Sequence, residues 1–262
     1  MLPKKPWDGY ITPGKIFGNL YFVGTVPSSV HLVDTGDGLI LIDAGYLDNL
    51  YLTVHNIHAL GFDPMNIKYI LLSHGHYDHT NGAEALARLT GAKTLLGTAD
   101  LPLVSGELNH FALPTYPFKP DILLQDGDII TLGNTSVRCV SSPGHTDGVM
   151  SFFFDITDGT RTLRAGMHGG VGLNTLNRDF LTRNALPFEN REKYFATLAK
   201  LEREHVDVFI GNHVGNNDTV GKLNAMAADG QNPFVDPSAW GAFLAQCRTN
   251  LETLIREEAA LD

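Results

Sequence analysis

The stretch Ser73-His74-Gly75-His76-Tyr77-Asp78-His79-Thr80 packs three imidazoles and a carboxylate into six residues, directly behind the apolar run Ile67-Lys68-Tyr69-Ile70-Leu71-Leu72. Imidazole and carboxylate are ligands for divalent zinc and its neighbours, and a chain rarely concentrates them unless a cation offsets the cost of taking them out of water. The apolar run has strand length, and residues 81–89 are helix-prone and stop before Gly91. The cluster therefore reads as a loop between a buried strand and a helix. With a further strand at 93–96, this βαβ unit places the loop on the rim of a sheet, where open α/β sheets collect ligands.

Outward from the cluster, the same arrangement recurs. On the N-terminal side, residues 19–23, 29–33 and 39–42 read as short strands, with Thr35-Gly36-Asp37-Gly38 as a hairpin turn, and the last strand ends on Asp43-Ala44-Gly45. A helix over 48–60 then ends at Gly61. On the C-terminal side, residues 97–120 carry Pro102, Pro114, Pro117 and Pro120 and read as an irregular segment after a short helix, able to line a pocket. Strands at 122–124, 128–132 and 135–140, with a Gly133-Asn134 turn, are expected to open a second sheet. The last of them runs into Ser141-Ser142-Pro143-Gly144-His145-Thr146, another strand end that presents a histidine. Strands at 149–156 and 162–165 follow, and Gly166-Met167-His168-Gly169-Gly170 closes the latter. A helix over 189–204 precedes a strand at 206–210, which ends on Gly211-Asn212-His213. The tail holds helical residues 222–228, a linker Gly230-Gln231-Asn232-Pro233, and a final helix over 237–258 capped by Asp236.

Composition narrows the class. A chain of 262 residues with 43% hydrophobic and 18% charged residues is expected to be globular and to form one domain over 1–262. No apolar run approaches the roughly 20 residues a membrane-spanning helix needs. A formal net charge of -10 and the absence of any basic run argue against a nucleic-acid partner, because such affinity rests on clustered Lys and Arg. The two cysteines, Cys139 and Cys247, are far apart and make no disulfide framework. The two lysines near the start are not followed by an apolar stretch of signal-peptide length. The expected location is the cytoplasm, or the periplasm or medium if a leader has been removed.

Loops at four strand ends thus present Asp43, the His74 to His79 cluster, His145 and His213. Five histidines and Asp78 make six ligands, and one zinc takes about three protein ligands plus an open position, so the number suits two ions. Neighbours in a tight loop cannot all face one ion. His74 and His76 are expected to serve one and Asp78 and His79 the other. Asp43 reads either as a site residue or as a turn or helix-capping residue. Tyr46, Tyr77 and Asn174 lie in rim loops and are substrate contacts or structural groups, and His168 is an extra ligand, a substrate contact or a packed polar residue. His55 and His58 fall on the wet face of their helix, and His31, His110 and His205 are assigned no role.

His74-x-His76-x-Asp78-His79, with His145 and His213 at later strand ends, resembles the metallo-β-lactamase superfamily over nearly the whole chain. Phe17-Gly18-Asn19-Leu20-Tyr21-Phe22-Val23-Gly24, Leu41-Ile42-Asp43-Ala44-Gly45, Asn81-Gly82 and Asn232-Pro233-Phe234-Val235-Asp236-Pro237 are most similar to the branch of metallo-β-lactamases without a cysteine ligand, subclass B3. The resemblance implies an α/β fold, an αββα sandwich of two mixed sheets flanked by helices, with the site at one edge of the sheets. It implies that His74, His76 and His145 bind a first zinc and Asp78, His79 and His213 a second, with Asp43 acting from behind the ligands. It further implies a hydrolase in which a metal-bound hydroxide attacks a small carbonyl substrate, a cyclic amide such as a β-lactam or a lactone or ester, with Asp78 orienting the nucleophile. One position departs from the wider superfamily: Met167 stands where many members carry an aspartate that bridges both metals. A non-catalytic or mononuclear metal-binding member of the same fold is the alternative. A nuclease of the RNase Z type should show basic patches, a flavodiiron protein a glutamate in place of His76, and a glyoxalase II or persulfide dioxygenase the bridging aspartate. The expected partner is a small molecule, without nucleic acid or membrane, and the chain is either a monomer or a homo-oligomer.

Overall fold

The structure is a computed structural model that describes residue 5, residues 7–111 and residues 116–261. The first sheet runs in chain order through β1 (Gly14–Phe17), β2 (Leu20–Phe22), β3 (His31–Asp34), β4 (Leu39–Ile42), β5 (Ile67–Leu72), β6 (Lys93–Gly97) and β7 (Ile122–Leu124). Its first half is an antiparallel meander and its second half, from β4 to β7, is parallel. The second sheet comprises β8 (Ile129–Leu132), β9 (Thr135–Ser141), β10 (Met150–Thr157), β11 (Thr162–Met167) and β12 (Val208–Phe209), in the order β12-β11-β10-β9-β8. Only the β11–β12 pair in it is parallel. The helices are α1 (Leu50–Ala59), α2 (Tyr77–Thr80), α3 (Ala83–Thr90), α4 (Leu101–Val104), α5 (Arg178–Arg183), α6 (Asn190–Leu201), α7 (Thr219–Asp229) and α8 (Pro237–Ala259). None among the described residues is long and apolar enough to cross a membrane.

Strand alternation builds the layers. In β4, Ile40 and Ile42 point into the core between the sheets, while Leu39 and Leu41 face the other way, into a core with Ile57 of α1 and Leu86 of α3. In β10, Phe152, Phe154 and Ile156 meet the first sheet, and Phe153 turns outward to Trp240 of α8, with ring centroids 5.8 Å apart. Burying each such phenylalanine contributes roughly 2–3 kcal/mol relative to leaving it in water. The result is helix, sheet, sheet, helix: the αββα sandwich. Both sheets therefore deliver strand ends to a common rim.

Local signals placed most of these elements. Asp236 caps α8 by accepting from Ser238 N at 2.9 Å, with Pro237 in the first turn. Gly133, at φ +50°, makes the two-residue turn that sets Leu132 opposite Thr135. The structure departs from the sequence reading at three places. Residues 122–124 do not open the second sheet: β7 pairs in parallel with β6, Leu95 opposite Ile122, and closes the edge of the first. The cause is a long-range lock, in which Asp121 Oδ2 accepts from Thr94 N at 2.8 Å and Thr94 Oγ1 at 3.0 Å. β1 was not foreseen, and the strand at 206–210 shrinks to Val208–Phe209. Pro114 lies outside the described residues.

Candidate metal centre

The cluster follows β5 at the rim of the sheets and is shaped by α2, whose first residue is Tyr77. This four-residue helix carries Asp78 and His79 to the side of His74 opposite the His76 and His145 pair. His74, His76 and His145 come together: their ligand atoms lie within 4.8 Å of one another, and His76 Nδ1 is 2.9 Å from His145 Nε2. All three are buried. Asp78, His79 and His213 make a second triangle, with Nε2 of His79 3.3 Å from Nε2 of His213 and 3.4 Å from Asp78 Oδ2, and Nε2 of His213 3.5 Å from Asp78 Oδ2. His74, Asp78 and His79 also lie within 4.8 Å of one another, so His74 stands where the triangles meet.

Four of the five imidazoles are aimed by what their far nitrogen holds. His74 Nδ1 donates to Gly169 O at 2.8 Å, His145 Nδ1 to Gly172 O at 2.6 Å, and His79 Nδ1 to Asp43 Oδ2 at 2.8 Å. His213 is hydrogen-bonded to the backbone of Pro27. In the neutral rings the other nitrogen presents its lone pair inward, the arrangement found around metal-ligating histidines, whereas on His79 a cation has first to displace a proton. His76 Nε2 is buried without a hydrogen-bond partner. A tetrahedral zinc with arms of 2.0–2.1 Å has edges of about 3.3 Å, which matches the second triangle. The donor set fits zinc.

Asp43 closes β4 with φ +63°, a left-handed conformation that costs a non-glycine residue roughly 1–3 kcal/mol. In that pose its buried carboxylate accepts from Ser73 N at 2.7 Å, Ser73 Oγ at 2.9 Å and His79 Nδ1. It binds the start of the metal loop and one of its histidines rather than capping a helix.

Charge separates the triangles. Burial, reinforced by neighbouring imidazoles, holds His74 and His76 well below the usual histidine range, and burial brings His145 down to about 4. His213 is lowered by burial and by His79. His79 goes the other way: burial opposes its charge, but Asp78 and Asp43 outweigh burial and raise it. Asp78 is likewise penalised by burial and yet held far below the ordinary carboxylate range by His79, His213 and His76.

The remaining rim residues divide. Tyr46 is buried and hydrogen-bonds to Ser28 and Tyr77, and Ser28 Oγ donates to Asp78 Oδ2 at 3.3 Å, so the hydroxyls form a chain ending on the carboxylate. Tyr77 is half-buried, and Phe111 sets its ring edge-on to His76 at 5.0 Å. Asn174 is exposed on the loop beside His145. His168 is buried, takes Gly170 N on Nδ1 at 3.3 Å, and has no partner for Nε2; burial lowers it to about 3. Met167 packs into the core between the sheets. Sequence reasoning missed Asp100, a buried carboxylate beside the metal loop, because an aspartate ahead of a helix reads as a cap. Burial raises it to about 6, against the hydrogen bonds it accepts from Thr146, Gly75 and Gly148.

The family model for the metallo-beta-lactamase superfamily matches residues 23–160, more than half of the chain, and spans the cluster and His145. The chain belongs to the metallo-beta-lactamase superfamily. This membership brings a family that uses zinc to a His/Asp cluster built to hold a metal. Among solved structures, BJP-1, a subclass B3 metallo-beta-lactamase of Bradyrhizobium japonicum, superposes with a TM-score of 0.88 at 29% identity, covering 98% of this chain and 99% of that one. Among curated superfamily relatives, the lactamase-like protein nscB of Neosartorya fischeri is 33% identical over 137 residues, 52% of this chain and 34% of its own. Hydroxyacylglutathione hydrolase of Shewanella halifaxensis is 31% identical over 150 residues, 55% of this chain and 47% of its own. The chain spans less than half the length of either relative.

Proposed function

We propose that this chain is a zinc-dependent hydrolase that opens a small carbonyl substrate, either a cyclic amide of the β-lactam kind or a lactone or ester. The observation that carries the reading is the pair of ligand triangles at one rim, each drawing two residues from the loop after β5 and one from a strand end of the second sheet. His74, His76 and His145 would hold one zinc, and Asp78, His79 and His213 a second. Zinc supplies a Lewis acid for the carbonyl oxygen and lowers the pKa of bound water toward about 7.

The chain's own groups do the rest. Asp78 stays ionised and offers an acceptor that orients an attacking water. Asp43 keeps His79 in the tautomer whose Nε2 faces inward. Tyr77, Asn174 and Phe111 border the approach to the triangles and would touch the substrate, whereas the buried Tyr46 acts on Asp78 through Ser28. His168 fills the interior behind His145 rather than reaching substrate. The similarity to BJP-1 across both chains favours β-lactams, and the likeness to a hydroxyacylglutathione hydrolase keeps esters in the panel.

Zinc-loaded protein assayed against a penicillin, a carbapenem, an acyl-homoserine lactone and a glutathione thioester should turn over at least one of them. Absence of turnover on all four, with zinc bound, sinks the proposal.

A further inference from the structure

Asp100 sits where β6 gives way to α4, at the N-cap of that helix, yet its side chain makes no capping bond. A capping aspartate ordinarily gives its carboxylate to the first turn of its own helix. This one turns to two other loops. Oδ2 accepts from Gly75 N at 2.7 Å and from Thr146 Oγ1 at 2.7 Å, and Oδ1 accepts from Gly148 N at 2.8 Å. Gly75 lies between His74 and His76, and Thr146 follows His145 directly.

Both glycines are needed for that approach. A Cβ at Gly148 would come within 2.5 Å of Asp100 Cγ, and one at Gly75 within 3.1 Å of Asp100 Cβ and 2.9 Å of Leu103 Cβ. Contacts under 3.0 Å cannot be kept without moving the backbone or the carboxylate. The chain leaves two adjacent loops bare so that one buried carboxylate can reach both.

We propose that Asp100 is the positioning residue of the His74, His76 and His145 triangle: by binding the loops that carry them, one from each sheet, it fixes the distance between those three ligands. The inference rests on the reading of that triangle as a zinc site. It assigns Asp100 no contact with substrate or metal. Its counterpart for the other triangle is Asp43, which holds His79 and makes none of these bonds. Asp43 also reaches His74 through Ser73, whose Oγ lies 3.2 Å from His74 Nδ1, so the separation expected is that Asp100 acts on the first ion alone and Asp43 chiefly on the second.

The test uses Asp100→Asn, which keeps the shape but turns an amide N–H against at least one of the three donors, and the milder Thr146→Val, which removes one arm. Zinc affinity is read by competition with a chromophoric chelator, and imidazole NMR signals report which triangle is filled. Removing a group that orients ligands typically weakens metal binding about 10–100-fold. Asp100→Asn should weaken zinc at His74, His76 and His145 by that factor and leave occupancy of His79 and His213 within about threefold. Thr146→Val should move the same signals by a smaller factor. Equal weakening at both triangles would mark Asp100 as a general fold residue and overturn the inference, as would unchanged affinity in both variants. If the unaltered protein takes up no zinc at these histidines, the zinc reading itself fails, a result visible before any variant is made.

Discussion

The two ligand triangles lie side by side and share the same short loop, yet they present opposite electrostatics to an incoming cation. His74, His76 and His145 are buried and surrounded by other imidazoles, so all three are neutral at pH 7. His79 is equally buried, but Asp43 and Asp78 flank it and hold a proton on it in the metal-free protein. The second triangle is also wetter, with 35% of the His213 side chain and 15% of Asp78 exposed. Residue type alone therefore does not set the behaviour of a histidine ligand. Whether carboxylates or imidazoles surround it decides if a cation meets a lone pair or must displace a proton.

That contrast can be broken experimentally. The largest effect is expected from Asp78→Asn, which removes the charged acceptor of the second triangle: steady-state turnover of the best substrate should fall about 10²–10⁴-fold, while zinc at the first triangle stays bound. Loss of both ions in this variant would erase the distinction. Chelation comes next. At free zinc near 1,000 times its dissociation constant, binding adds about 4 kcal/mol, so stripping it should lower the melting temperature by on the order of 10 °C, with the more exposed second triangle emptied first in a chelator time course.

Asp43→Asn should weaken zinc at the second triangle about 10–100-fold and at the first by a smaller factor through Ser73, the reverse order of the pattern expected for Asp100→Asn. The smallest signal is the proton balance. At pH 6, calorimetric zinc titrations in two buffers of different ionisation enthalpy should show about one proton released on filling the second triangle and close to none on filling the first. The sign follows from the raised His79, charged in the metal-free protein below its shifted pKa, and the lowered His145, already neutral well above about 4. Equal proton release at both would refute the electrostatic contrast.

Much of the site could be read along the chain because its ligands are rare residue types packed at short spacing, and because His145 and His213 each follow an apolar strand. The antiparallel meander of β2 to β4 and the length of α8 were legible for the same local reasons: turns, caps and alternation leave marks within a few residues. β7 was assigned to the wrong sheet because its partner, β6, lies across a long irregular segment, and the Thr94 and Asp121 hydrogen bonds that lock the pair have no sequence signature. Asp100 was invisible since its capping position gives an ordinary reason for an aspartate. The chain of hydroxyls from Tyr77 through Tyr46 and Ser28 to Asp78 joins residues 50 positions apart in its last step.

The sequence by itself determined the chemical identity of the donors and the neighbours that share a loop, since His74, His76, Asp78 and His79 are tied together by covalent distance. Tertiary structure alone decided how they pair with His145 and His213, which carboxylate stands behind which loop, and which histidine keeps its proton. Those properties depend on through-space distance and burial, and the two sheets establish both only when their strand ends meet at one rim.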